Sequence, residues 1–252
     1  MIELVQQKNL AIGSEEAIKS LQTKELAKLL VISDSHGNPH ILQSIISSFG
    51  DSCDGIAFCG DGLLDLVETL ELSFFDEDFA THFPPVLYFV RGNGDNSTAT
   101  IFTDKRIPIT VPEFQEFTVA NKKIFLTHGH RYNVYYGIKD LRAETISRNC
   151  DIVWYGHTHV PNSQRSHVTK GNQDNFLGIL NPGSCAQARG GMPNTFAIVD
   201  VHADEEKNVA IAHIALHPLK NQQLSQRVFL RMLTDMMLLR EWSFDYIPLA
   251  HG

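Results

Sequence analysis

The chain has 252 residues, a formal charge of −8 and 43% hydrophobic residues, a length and balance suited to one large globular domain with modest extensions. The acidic excess argues against a general nucleic-acid or membrane-surface binder, since such proteins carry surplus Lys and Arg, but bound divalent cations would reverse the local sign, so phosphate substrates stay open. Four cysteines (Cys53, Cys59, Cys150, Cys185) without CxxC spacing read as reduced thiols. No segment has the apolar length of a membrane span and the start MIELVQQKNLAIG lacks a signal-peptide core, so a cytoplasmic protein is expected.

In chain order, residues 14–26 read as a short amphipathic helix with Ser14 as N-cap and acids in the first turn. The branched, apolar run Leu29–Ser33 predicts a buried strand. Asn38-Pro39 offers an N-cap followed by proline at the first helical position, opening a helix to Phe49. The strand–loop–helix order repeats with Ile56–Cys59 and Leu63–Leu72, and Val86–Val90 is a further strand. From Ile107 the pattern becomes a meander turning at Ala120–Lys123. A helix over Ile138–Ser147 leads into the strand Asp151–Tyr155, and Phe176–Leu216 reads as short strands broken by turns such as Ala203–Asn208. Alternating β and α followed by a strand-rich half predicts two sheets covered by helices.

Polar residues cluster where five strands end. LLVIS runs into Asp34-Ser35-His36, GIAFC into Gly60-Asp61, and VLYFV into Arg91-Gly92-Asn93. KIFL runs into Thr127-His128-Gly129-His130, and DIVWY into Gly156-His157-Thr158-His159. Ligands in open α/β sheets sit outside the carboxyl ends of strands, so these five segments are expected at one edge. The pairs Asp34/His36 and His157/His159 are two residues apart, which in extended chain points both side chains the same way. Singly, D-x-H arises by chance, Gly-Asp and Gly-Asn are ordinary turn dipeptides, and H-x-H fits a solvated loop. Jointly they offer a mixed oxygen and nitrogen shell that suits manganese, iron, nickel, cobalt or zinc better than calcium.

This series, D-x-H, GD, GN, H-G-H and G-H-T-H in that order, resembles the calcineurin-like metallophosphoesterases, and within them the small prokaryotic YfcE-like phosphodiesterase branch. Asn181-Pro182-Gly183-Ser184, Arg189-Gly190-Gly191-Met192-Pro193 and Phe196–Asp200 are similar to that branch's carboxyl half. The resemblance covers residues 28–217 and implies a sandwich of two mixed sheets flanked by helices, the four-layer α/β/β/α arrangement. Residues 1–27 and 218–252 are then N- and C-terminal helical extensions. The resemblance also implies two divalent ions per chain, manganese favoured. Asp34, His36, Asp61 and His159 surround the first; Asp61, Asn93, His128 and His157 surround the second, with Asp61 bridging. The nucleophile implied is a metal-activated hydroxide attacking a phosphate ester, a phosphodiester in preference.

The chain departs from the family at Gly92-Asn93-Gly94-Asp95, where many relatives carry G-N-H-D/E and use the His to assist the leaving group. His130 is a candidate for proton transfer, or it orients His128 or packs. Arg189 is a candidate substrate contact or a structural ion pair, and Arg91 shares that ambiguity. Cys59 reads as a packing residue. Competing readings are a phosphomonoesterase, against which Gly94 weighs, and a catalytically weak scaffold like the phosphoesterase-fold subunit of retromer, against which the complete ligand set weighs. A nuclease acting on long polynucleotides is disfavoured by the acidic composition. Substrate choice is expected to lie with loops 96–106 and 161–176. In the tail, 222–240 has helical character and is apolar over most of its circumference, so it either packs on its own domain or forms a homo-oligomer contact.

Overall fold

The computed structural model describes residues 2–170, 173–203 and 210–216. The first sheet has the order β1-β4-β3-β2-β12-β13 and the second β10-β11-β9-β8-β7. In the first, β2 (Leu26–Ile32), β3 (Gly55–Phe58) and β4 (Val86–Phe89) run parallel, flanked by β1 (Ile12–Gly13) antiparallel to β4 and β12 (Asn194–His202) antiparallel to β2. β13 (Ala210–Leu216) closes the far edge against β12. In the second, β8 (Lys122–Thr127), β9 (Ile152–Trp154) and β11 (Gln173–Asn181) are parallel, with β7 (Phe114–Val119) and β10 (Asn162–Lys170) antiparallel at the two edges.

The central strands are apolar on both faces, which fits strands covered on both sides. Along β2, Ala27, Leu29 and Val31 face the second sheet and meet Val119, Leu126 and Trp154 in one core. Leu30 and Ile32 face the other way, onto α2 (Pro39–Phe49) and α3 (Leu63–Phe75). On the outer face of the second sheet, Phe125, Val153 and Ile179 pack with Leu141 of α5 (Lys139–Ser147). The layers are therefore α/β/β/α. Helix α1 (Glu15–Thr23) begins where the Ser14 hydroxyl accepts from the Ala17 N–H, and it buries Ile18 and Leu21 in the inter-sheet core. The β7–β8 hairpin turns through Ala120 and Asn121, both with positive φ (46° and 58°), as a two-residue turn matched to strand twist requires.

Several local expectations are corrected. Pro39 opens α2, but the Asn38 side chain does not cap it; it donates instead to the carbonyls of Ser35 and His36. The meander loses its first member, because β6 (Arg106–Thr110) pairs with β5 (Thr98–Phe102) in a separate two-stranded sheet. The Pro at 108 and the Val111-Pro112 break carry the chain away before β7 begins. Residues 161–176, expected as a loop, are largely the β10–β11 hairpin, whose polar sequence NSQRSHVTK hides an edge strand. A short helix over Glu77–His82, capped by Asp76, was not anticipated. The helix expected over 222–240, its subunit contact and the C-terminal extension lie outside the described residues. Among the described residues no helix is long and apolar enough to cross a membrane.

Aromatic rings join the two sheets. Tyr88 of β4 stacks on Phe117 of β7 at 3.6 Å between ring centres, and Phe117 leans on Trp154 of β9. Trp154 is fully buried and its indole N–H has no acceptor. Trp154→Ala is expected to cost about 3–5 kcal/mol through cavity formation. Trp154→Phe is expected to cost far less, because it keeps a ring and removes an unpaired donor. Urea unfolding of the two variants checks the order; equal losses would contradict it.

Candidate metal centre

Five strands deliver the polar residues at their carboxyl ends. β2 leads to Asp34 and His36, β3 to Asp61, β4 to Asn93, β8 to His128, and β9 to His157 and His159. Three of these strands belong to one sheet and two to the other, so the cluster straddles the sandwich edge. The chain reverses sharply at each point. Asp34, His36, Asp61, His157 and His159 all have positive φ, making up five of the ten described non-glycine residues that do. Each left-handed non-glycine residue costs on the order of 1–3 kcal/mol, and such strain concentrates at functional sites. Glycines make the close approaches possible. A Cβ on Gly92 would stand 2.0 Å from Asp61 Oδ1, and one on Gly156 would stand 2.7 Å from Asp34 Oδ2.

Two groups form: Asp34, His36 and His159 in one, Asp61, His128 and His157 in the other, each with candidate ligand atoms within 4.8 Å of one another. His159 Nε2 lies 3.2 Å from Asp34 Oδ1, and His36 Nε2 lies 3.7 Å from the same oxygen. Asp61 Oδ2 is 3.3 Å from His128 Nε2 and 3.8 Å from His36 Nε2, so this carboxylate faces both groups. The far nitrogens of two rings are committed: His128 Nδ1 donates to the Cys59 carbonyl and His159 Nδ1 to that of Gln187. Their Nε2 lone pairs therefore point inward when neutral. His36 Nε2 and His159 Nε2 stand 3.1 Å apart, and His157 Nδ1 and His128 Nε2 stand 3.2 Å apart. Lone pairs aimed at one another and at carboxylates need a shared proton or a cation between them. Asp34 Oδ1 is buried with no hydrogen-bond donor, while Oδ2 accepts from the Ser33 hydroxyl and the His157 N–H. This donor set fits divalent transition ions.

Charge follows the same layout. Burial opposes ionisation of Asp34, yet the His159 and His36 imidazoles beside it, with the charge of His128 and the Ser33 hydroxyl, outweigh it and hold the carboxyl well below its usual range. Burial alone would lower His128, but its bond to Asp61 and the charges of Asp34 and Asp61 raise it. His157 is pushed down to about 4 by burial and by His128.

Two buried or half-buried acids absent from the expected ligand set hold the loops. The Asp95 carboxylate accepts from the N–H groups of Asp61 (2.7 Å), Gly62 (3.1 Å), Leu63 (2.9 Å) and Gly92 (2.9 Å), clamping the β3 and β4 turns together. Asp65, in the first turn of α3, accepts from the Ser35 hydroxyl and from the Gly37 and Asn38 N–H groups, fixing the loop that carries His36. Their signal in sequence was position, an acid directly after Gly-Asn-Gly and another four residues after Asp61. On the other side, Asn181 donates to the Gly156 carbonyl and the Thr158 hydroxyl, and Ser184 donates to the Asp34 carbonyl.

The remaining candidates sit around this cluster. Asn93 is exposed in the turn whose next residue, Gly94, donates to Asp61 Oδ1. His130 lies with its ring 5.5 Å from that of His128, but it does not orient that ring, because the Cys59 carbonyl does. Its own Nδ1 is unpartnered, and burial together with the charge of His128 lowers its pKa. Arg91 pairs with Glu113, which it shares with Arg131. Arg189 is exposed and donates to the Tyr135 hydroxyl. Cys59 is buried and its thiol is pushed well up by burial, as a packing residue requires.

Comparison with known proteins matches residues 28–204 to the calcineurin-like phosphoesterase superfamily domain. Phosphodiesterase YfcE of Escherichia coli (strain K12) is 28% identical over 203 residues, covering 77% of this chain and 100% of that protein. The probable metallophosphoesterase YsnB of Bacillus subtilis (strain 168) is 27% identical over 183 residues, covering 70% and 85% respectively. Among solved structures, Vacuolar Protein Sorting 29 from Cryptosporidium parvum aligns with a TM-score of 0.49 at 19% identity, over 77% of this chain and 100% of that one.

Asp95→Ala leaves four N–H groups without their acceptor beside a strained Asp61. Loss of such an outer partner is expected to weaken metal affinity about 10–100-fold. Competition with a chelating dye, alongside circular dichroism to confirm folding, measures it. A folded variant with unchanged affinity would contradict the clamp.

Proposed function

Because the chain belongs to the calcineurin-like phosphoesterase superfamily, we propose that it is a phosphodiesterase that uses two divalent ions, manganese favoured, to hydrolyse a small phosphate diester. The observation that carries this reading is the Asp61 carboxylate, set within 3.3 Å of His128 Nε2 and 3.8 Å of His36 Nε2, between the two ligand groups. Asp34, His36, Asp61 and His159 would hold one ion, and Asp61, Asn93, His128 and His157 the other. When bound, such a pair supplies positive charge to the phosphoryl oxygens and lowers the pKa of water. Residues 28–217 form the catalytic domain.

The chain's own groups then have separate tasks. Asn93, exposed at the mouth of the site, reaches both an ion and the substrate. Arg189 has no carboxylate partner among the described residues, so its free N–H groups are open to a phosphoryl oxygen. His130, whose Nδ1 is unpartnered and whose ring lies 5.5 Å from that of His128, is assigned the proton transfer. A scaffold would not need strained backbone at five ligand positions.

Diester preference rests on Gly94. A dianionic monoester passes through a loose transition state and leans on an acid at the leaving group, which a glycine does not provide. A monoanionic diester depends more on the nucleophile and on charge stabilisation.

Metal analysis after incubation with manganese is expected to give two equivalents per chain. Asp61→Ala is expected to lower occupancy at both positions and to cut kcat/KM at least about a hundredfold. His36→Ala, which strips one ion of one ligand, is expected to do less. Protein that never exceeds trace metal would sink the reading.

The wild type is also expected to cleave bis(p-nitrophenyl) phosphate faster than p-nitrophenyl phosphate, with Gly94→His shifting the ratio toward the monoester. A Cβ at position 94 would stand 3.3 Å from Asp61 Oδ1, tight enough that steric loss must be separated from chemistry. Gly94→Ala is the control. If Ala and His variants lose metal and both activities alike, position 94 is only a tight turn; a wild type that strongly prefers the monoester overturns the assignment.

A further inference from the structure

Tyr135 stands at the rim of the metal centre in a position the ligand set does not explain. It lies in the short 3-10 turn Val134–Tyr136, which follows the His128–His130 segment. Its ring packs edge-on against His157, 4.8 Å between centres, and its hydroxyl donates to the His157 carbonyl at 2.8 Å. Arg189 Nη1 donates to the same hydroxyl at 2.7 Å, and the Arg189 N–H donates to the His159 carbonyl. The tyrosine is thus fixed at three points against the His157–His159 loop. A ring held so firmly would ordinarily be covered, yet Tyr135 is 53% exposed and its neighbour Tyr136 94% exposed. A rigid, half-open aromatic ring beside a candidate ligand, with a guanidinium at its hydroxyl end that meets no carboxylate among the described residues, is a ready surface for a flat group.

We propose that Tyr135, braced by Arg189, forms a subsite for a planar aromatic substituent on the phosphodiester, an aryl or nucleoside group. This rests on the phosphodiesterase reading above and names the substrate class of that site. With the phosphorus at the two ligand groups, a substituent extending past His157 meets the open face of Tyr135. Arg189 is held at the hydroxyl end of the tyrosine, so its remaining N–H groups would contact a phosphoryl oxygen while the ring meets the substituent. Rigidity matters because a preorganised ring loses little conformational freedom when a partner stacks on it.

The test compares two diesters with the same leaving group in manganese-loaded, full-length protein. In bis(p-nitrophenyl) phosphate the retained substituent is aryl, and in methyl p-nitrophenyl phosphate it is methyl. Water adds to phosphorus and p-nitrophenolate departs in both, and intrinsic reactivity cancels when the ratio of kcat/KM values is compared between variants. Tyr135→Leu is expected to lower the aryl-to-methyl ratio roughly five- to tenfold, the span of a lost stacking contact. Tyr135→Phe, which keeps the ring but loses the hydroxyl that anchors it, is expected to recover part of the ratio. An unchanged ratio in Tyr135→Leu, including a parallel fall of both substrates through a displaced His157–His159 loop, overturns the subsite. So does a ratio in Tyr135→Phe no higher than that of Tyr135→Leu. Binding to wild-type protein repeats the comparison without turnover: phenylphosphonate is expected to bind about five- to tenfold tighter than methylphosphonate by calorimetry, and equal affinities overturn the proposal. Because that readout needs no hydrolysis, a protein that binds the aryl ligand selectively but cleaves no diester would refute the phosphodiesterase reading and leave the subsite standing.

Discussion

Asp34 is wholly buried, and one of its carboxylate oxygens has no hydrogen-bond donor. Keeping an ionised carboxylate out of water costs several kcal/mol unless opposite charge or donors surround it. Here the surroundings are imidazole nitrogens, two of them with their other ring nitrogen already bonded to a backbone carbonyl. Everything else at this edge of the sandwich can be understood as keeping these electron-rich atoms together. A cation between them removes the mutual repulsion, and that requirement links the fold to the chemistry.

Bringing the donors together places demands on the backbone. Five ligand positions lie in the left-handed region, and glycines at 92 and 156 are needed because any side chain there would overlap the carboxylates. Such turns persist only where surrounding bonds fix them. Asp95 gathers four N–H groups from two adjacent loops, Asp65 fixes the loop of His36, Asn181 holds the Gly156–Thr158 loop within the second sheet, and Ser184 ties that side to the first sheet at Asp34. The candidate ligand acids and the clamping acids are of the same residue type; only their partners distinguish them.

The rim carries groups of a different kind. Arg91 and Arg131 spend their charge on one carboxylate, Glu113, whereas Arg189 meets only the Tyr135 hydroxyl. Among the described residues, a guanidinium with no carboxylate partner and a half-exposed aromatic ring therefore stand beside the candidate metal centre in a chain of net charge −8. The edge strand β10 and the two-stranded β5–β6 sheet give regular structure to segments whose composition reads as loop.

The sequence by itself determined the parallel core strands, because runs such as LLVI and VLYF are apolar on both faces and stop abruptly at polar residues. It also determined which residue types meet, since each strand end carries its own Asp, Asn or His. It did not reveal β10, whose polar residues lack the apolar alternation of a core strand, or the separation of β6 from β7, which depends on pairing partners distant in the chain. The tertiary structure alone decided that Asp61 faces both ligand groups, that Asp95 accepts four backbone donors, and that His128 is oriented by a carbonyl rather than by His130. Residue identity fixes what a group can donate or accept; which partner it meets is set by loops converging from two sheets, and local sequence carries no record of that convergence.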